Sequence, residues 1–63
     1  MTEDDFVDMT EAMRRLGGGF VKALAECFAK ADYPNRVILL KAFPGYVAEY
    51  QDLAQRQKAR EKK

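Results

Sequence analysis

One cysteine, a cluster of acids at the start of the chain, three consecutive glycines and a basic end are the residues whose types and spacing could support chemistry. Cys27 falls on an apolar stripe between Leu24 and Ala31, so it is expected to be a buried thiol packing as a small hydrophobe rather than a nucleophile. Asp4, Asp5 and Asp8 share one helical turn, where acids serve the helix dipole far more often than they hold a divalent cation. Gly17-Gly18-Gly19 has neither a strand before it nor a Lys-Ser/Thr after it, so it is not a phosphate loop.

The chain has no histidine and no tryptophan, and a single cysteine permits no internal disulfide. General acid–base work would fall to carboxylates alone, and the common zinc-ligand sets are missing. The reading is therefore a non-enzymatic protein with no metal and no cofactor.

Charge is distributed by position. Residues 1–11 carry Glu3, Asp4, Asp5, Asp8 and Glu11 with no base, whereas 56–63 carry Arg56, Lys58, Arg60, Lys62 and Lys63 against Glu61. Acids at a helix N-terminus and bases at a helix C-terminus are each favoured by about 0.3–1 kcal/mol. The alternative use of the five basic residues is phosphate contact, which would be independent of sequence and strongly salt-dependent. A formal net charge of +1 argues against a partner coated in negative charge.

The elements that must position these groups are helices. Thr2 followed by Glu3, Asp4 and Asp5 is an N-cap and an acidic first turn. Phe6, Met9, Met13, Leu16, Phe20, Ala23 or Leu24, Cys27 and Ala31 then recur at gaps of three and four. Because the stripe keeps phase across the glycines, a single helix from about 3 to about 31 is expected, with a hinge at 17–19 as its alternative. In the continuous form the glycines would let a second helix approach closely. The stripe Phe6, Met9, Met13, Leu16, Gly17, Gly18 and Phe20 is accordingly the predicted self-association or partner surface.

Pro34 disfavours helix at Tyr33 and Asn35 reads as an N-cap, so a short helix is expected over about 36–42. Val37-Ile38-Leu39-Leu40 is apolar almost all round, which predicts the centre of the core. That helix offers no polar or basic side chains for reading base edges, which argues against a helix-turn-helix DNA reader. Pro44 can open a last helix over about 45–58, with Tyr46, Val47, Tyr50, Leu53 and Ala54 on its apolar face. Residues 59–63 are expected to fray as a basic tail.

Sixty-three residues of which 48% are hydrophobic and 33% charged make one folding domain. A core of this size without disulfide or metal supplies about 3–5 kcal/mol, so completion of the bundle by homodimerisation is expected. Most of the seven aromatics fall on the apolar stripes and are expected to pack in the core; the alternative is that a few stay exposed as anchors for another protein, and either way they imply association with a second copy or a partner. The longest apolar run is far short of the ~18 residues that span a bilayer. An acidic start where a signal peptide would be basic predicts a cytoplasmic protein.

The run Leu16-Gly17-Gly18-Gly19-Phe20-Val21-Lys22-Ala23-Leu24-Ala25-Glu26, then Ala31-Asp32, Asn35, Ala42-Phe43-Pro44 and Tyr50, resembles small open reading frames of tailed phages. In size and helical content the chain is similar to accessory proteins of the early, exo–xis region of lambda-like temperate phages. The resemblance spans residues 16–50 and carries no catalytic or binding residue. It implies a non-enzymatic protein made early in infection that binds a host protein and acts on the lysis–lysogeny decision or host physiology.

Overall fold

A computed structural model describes residues 1–61; Lys62 and Lys63 lie outside the described residues. The described chain is all-helical, with α1 over Glu3–Leu16, α2 over Gly19–Lys30, α3 over Tyr33–Ala42 and α4 over Pro44–Glu61.

Helix α1 starts where its cap dictates: Thr2 Oγ1 accepts the Asp5 amide at 3.1 Å, and Glu3, Asp4 and Asp5 occupy the positive end of the dipole. Its inward face is Phe6, Met9, Ala12 and Met13. Thr10, also buried, donates its hydroxyl to the Val7 carbonyl at 2.9 Å, so the core acquires no unpaired polar group there.

The expected continuous helix is broken. Gly17 (φ −82°, ψ 159°) and Gly18 (φ −79°, ψ −169°) are both extended, and α2 starts afresh at Gly19. No glycine has a positive φ, so left-handed backbone is not what selects glycine here. Space selects it at Gly17, where a Cβ would run into the Val21 side chain and the Met13 carbonyl oxygen. At Gly18 and Gly19 a Cβ would meet nothing. The close approach predicted for the glycine cluster is thus real only at Gly17, and it is made to the next helix of the same chain.

The break also changes the register of burial. The stripe predicted to continue through Phe20 and Cys27 faces outward, and the inward face of α2 is Val21, Leu24, Ala25 and Phe28. Those four residues are themselves at i, i+3, i+4 and i+7, the signature of one helix face. Phe28 packs edge-on against Phe6, with ring centroids 5.7 Å apart, and so closes α2 onto α1.

Helix α3 starts at Tyr33, earlier than the expected 36, because Asp32 rather than Asn35 is its cap: Asp32 Oδ1 accepts the Asn35 amide at 3.1 Å. Pro34 is tolerated in this first turn, where its missing N–H would have had no intrahelical partner. The expectation that this helix is the centre of the core is wrong, since none of its residues is fully buried. A helix that is apolar all round but has neighbours on one side must leave something out; Leu39 and Leu40 pack against the core while Ile38 is 62% exposed.

Pro44 opens α4 as expected, and the helix continues to Glu61 rather than fraying from residue 59. Residues 55–60 are good helix formers, and Arg56 pairs with Asp52 one turn back at 3.1 Å. Tyr50 and Ala54 supply the buried part of its face, with Val47 and Leu53 at the margin.

The core is therefore built chiefly from α1 and α2 and closed by α4, and its three most deeply buried large side chains are Phe28, Met9 and Met13. Phe6, Met9 and Met13, three of the residues predicted to form an intermolecular surface, are buried within one chain. The total accessible surface, 4425 Å², is close to the about 4,100 Å² that the scaling law gives for a compact monomer of this mass.

Candidate protein-interaction surface

The shift of register at Gly17–Gly18 has a second effect: it turns Phe20, in the first turn of α2, to the surface, where it is 58% exposed. Phe20 does not stand alone. Phe43, between α3 and α4, lies 6.1 Å from it, and Tyr46, in the first turn of α4, lies 5.7 Å from it and 6.3 Å from Phe43. The rings are tilted to one another by 47–62°, within the range of favourable aromatic packing.

Two stretches far apart in sequence, the start of α2 and the α3–α4 junction with the first turn of α4, thus supply one cluster of three rings. The cluster continues into a shallow groove along Ala42, Phe43, Pro44, Gly45, Tyr46 and Glu49. Phe43 is half-buried against the core, while Phe20 and Tyr46 keep a face open to water that offers a partner an apolar contact. Of the predicted surface residues, Leu16 (50% exposed), Gly18 and Phe20 are open to solvent, Gly17 is half-buried, and Phe6, Met9 and Met13 are withdrawn into the core.

A second shallow groove runs between α2 and α3, lined by Cys27, Lys30, Ala31, Asn35, Ile38 and Leu39. Cys27 is exposed there, not buried as expected, because it sits on the face that the hinge turns outward. Among the described residues no three His, Cys, Asp or Glu side chains converge to hold a metal ion, so Asp4, Asp5 and Asp8 form no such group.

Two of the five basic residues at this end are paired with acids of the chain itself. Lys58 Nζ meets Asp8 Oδ2 at 2.8 Å, and Arg56 meets Asp52 as described. The hydrogen bond to Asp8, then its charge and those of Asp5 and Asp4, raise the Lys58 pKa above its ordinary 10.5. Arg60 is exposed, and Lys62 and Lys63, the remaining candidate phosphate contacts, lie outside the described residues.

Two more ion pairs tie elements together. Arg14 joins α1 to α2 through Glu26 at 3.2 Å, and Arg36 joins α3 to α1 through Glu3 at 2.8 Å. Arg36 also lies over the Phe6 ring, 3.9 Å from its centroid, a cation–π contact that covers the outer side of the core.

The aromatic cluster was only partly visible in the sequence. Core packing is the reading the stripes favour for the aromatics and exposure of a few only its alternative, and which ones are exposed depends on the α2 register. The competing pattern Val21, Leu24, Ala25, Phe28 was the signal that places Phe20 outside. No helix among the described residues is long and apolar enough to cross a membrane. No protein family, curated protein or solved structure matches the chain.

Proposed function

We propose that this protein is a non-enzymatic helical interaction module that works by occupying a surface of a larger protein, with Phe20, Phe43 and Tyr46 as its contact residues. The observation that carries this reading is the exposed ring cluster, assembled from α2, the α3–α4 junction and α4. A soluble chain gains nothing in stability from leaving Phe20 in water, and clustered aromatics are the usual anchors of protein interfaces. The resemblance to early-region phage proteins supplies the setting: the partner is a host protein bound early in infection, in the bacterial cytoplasm, with the lysis–lysogeny decision or host physiology as the outcome.

The alternative, phosphate contact through Arg56, Lys58, Arg60, Lys62 and Lys63, is less favoured because Arg56 and Lys58 are already paired with carboxylates.

The test is affinity capture from bacterial lysate with nuclease and high salt, using wild type, Phe20→Ala and a chain truncated before Arg56. Phe20 is not one of the buried core residues, so its alanine variant is expected to fold, as circular dichroism would check. The expected result is a defined protein that wild type and the truncated chain retain and Phe20→Ala loses. Retention by Phe20→Ala together with loss on truncation, nuclease or salt overturns the reading in favour of nucleic acid.

A further inference from the structure

We infer that this chain exchanges helices with a second copy of itself: Gly17–Gly18 straightens, α1 and α2 fuse into one helix, and the α1–α2 packing of the monomer is remade between two chains.

Four observations converge on this. First, the hinge is close to helical already. Gly17 and Gly18 have φ of −82° and −79°, so rotation of ψ alone carries them into the helix. Two of the hydrogen bonds a continuous helix needs are in place, Gly17 N–H to the Met13 carbonyl at 3.0 Å and Lys22 N–H to the Gly18 carbonyl at 2.9 Å. Straightening adds the bonds between them.

Second, the apolar stripe runs through the hinge without losing phase. In the bent chain Leu16, Phe20 and Cys27 are exposed. In the straight one they prolong the stripe of Phe6, Met9 and Met13 at gaps of three, four and seven. The exchanged form thus keeps the Val21, Leu24, Ala25 and Phe28 face for α1 of the other copy and gains beside it a stripe that the bent chain leaves exposed.

Third, the contact to be exchanged is self-complementary about the hinge. Gly17 is midway in sequence between Phe6 and Phe28, which pair at 5.7 Å. Two antiparallel straight helices that remake this pair twice place the two copies of Gly17 opposite each other at the centre of the exchanged contact. Fourth, the obstacle to a side chain at Gly17 belongs to the bent form. There its Cβ collides with Val21 and the Met13 carbonyl, whereas in a continuous helix residues four apart are ordinary neighbours.

The last point gives opposite locks. Gly17→Ala is excluded from the bent form and favoured in the straight one, so it drives exchange. Gly18→Pro does the reverse: φ of −79° suits proline, the preceding residue is already extended, and a proline there removes a bond the straight helix requires. Gly45→Ala, where a Cβ meets nothing, is the control.

Light scattering on size-exclusion fractions across concentration, after refolding at high and low concentration, reads the outcome. Gly17→Ala is expected to lower the dimer dissociation constant at least about tenfold, Gly18→Pro to remain monomeric throughout, and Gly45→Ala to match wild type. A folded Gly17→Ala that stays monomeric at every concentration, or a Gly18→Pro that dimerises as wild type does, overturns the inference. If Gly17→Ala fails to fold, a mixing experiment decides. Arg14→Glu alone and Glu26→Arg alone each place like charges across the α1–α2 contact within their own chain. Exchange between the two variants restores opposite charges at both contacts. A heterodimer in excess of the statistical yield on mixing supports exchange, and no enrichment overturns it.

Discussion

Helices α1 and α3 make opposite use of their apolar residues. Helix α1 opens on three acids and is polar over much of its surface, yet it holds Met9 and Met13 at the heart of the core. Helix α3 carries Val37-Ile38-Leu39-Leu40, the densest apolar run in the chain, yet buries no residue completely. What decides burial is the arrangement of apolar side chains on one face. Met9, Met13 and Phe6 all point the same way, so packing one side of α1 removes them together from water. Four consecutive apolar residues point in every direction, and a helix with neighbours on one side cannot shelter them all.

The largest expected effect breaks this comparison at its strong end. Phe28→Ala removes a fully buried ring and its contact with Phe6, a loss of about 3–5 kcal/mol, comparable with the whole stability of a staple-free domain of this size. Thermal unfolding followed by circular dichroism should show no cooperative transition. Ile38→Ala, in the longest apolar run of the chain but at a side chain 62% exposed, should change stability by less than about 0.5 kcal/mol. Equal losses at the two sites would show that α3 is packed more deeply than described.

Next come the helix starts. Thr2→Ala and Asp32→Ala each remove a capping oxygen, from Asp5 N–H and Asn35 N–H respectively, and should cost about 1 kcal/mol in denaturant titrations. Asn35→Ala should cost distinctly less, because Asn35 donates its backbone amide to the cap and its side chain does not form it. Gly18 caps α2 without a side-chain acceptor and has open space around it, so Gly18→Asp should stabilise the bent chain by a few tenths of a kcal/mol, about 0.3. A loss of stability on that substitution would mean that α2 does not begin at Gly19.

The smallest effect concerns Lys58. Its folded pKa is raised above 10.5, so the stabilisation from its pairing with Asp8 is fully present below 10.5 and is lost as pH rises through the folded value. Alkaline titration of stability should therefore fall less steeply for Lys58→Gln than for wild type. Below that range the two curves should run parallel, with the variant slightly lower.

Much of the fold was legible because it rests on local signals. Thr2, Pro44 and the spacing of Phe6, Met9 and Met13 are read directly from neighbouring residues, and each marks the element it promised. The signals that misled were those in which two local readings competed. Asp32 and Asn35 are both good caps, and only the path of the chain decides that the Asp32 carboxylate reaches the amide three residues on. Phe20 and Val21 each begin a plausible face of α2, and the choice between them depends on Phe6 being available to Phe28, a contact between residues 22 positions apart. The proposed interaction surface inherits that dependence, since Phe20 meets Phe43 and Tyr46 in the bent chain.

The central claim is that one chain bends at Gly17–Gly18, closing its own core and turning Phe20 outward. Nuclear Overhauser contacts in a dilute, uniformly labelled sample shown by light scattering to be monomeric test it directly. Contacts between the Phe6 and Phe28 rings and between Phe20 and Tyr46, with helical amide contacts interrupted at Gly17–Gly18, are predicted. Unbroken helical contacts from Leu16 through Phe20, with no Phe6–Phe28 contact, would contradict it.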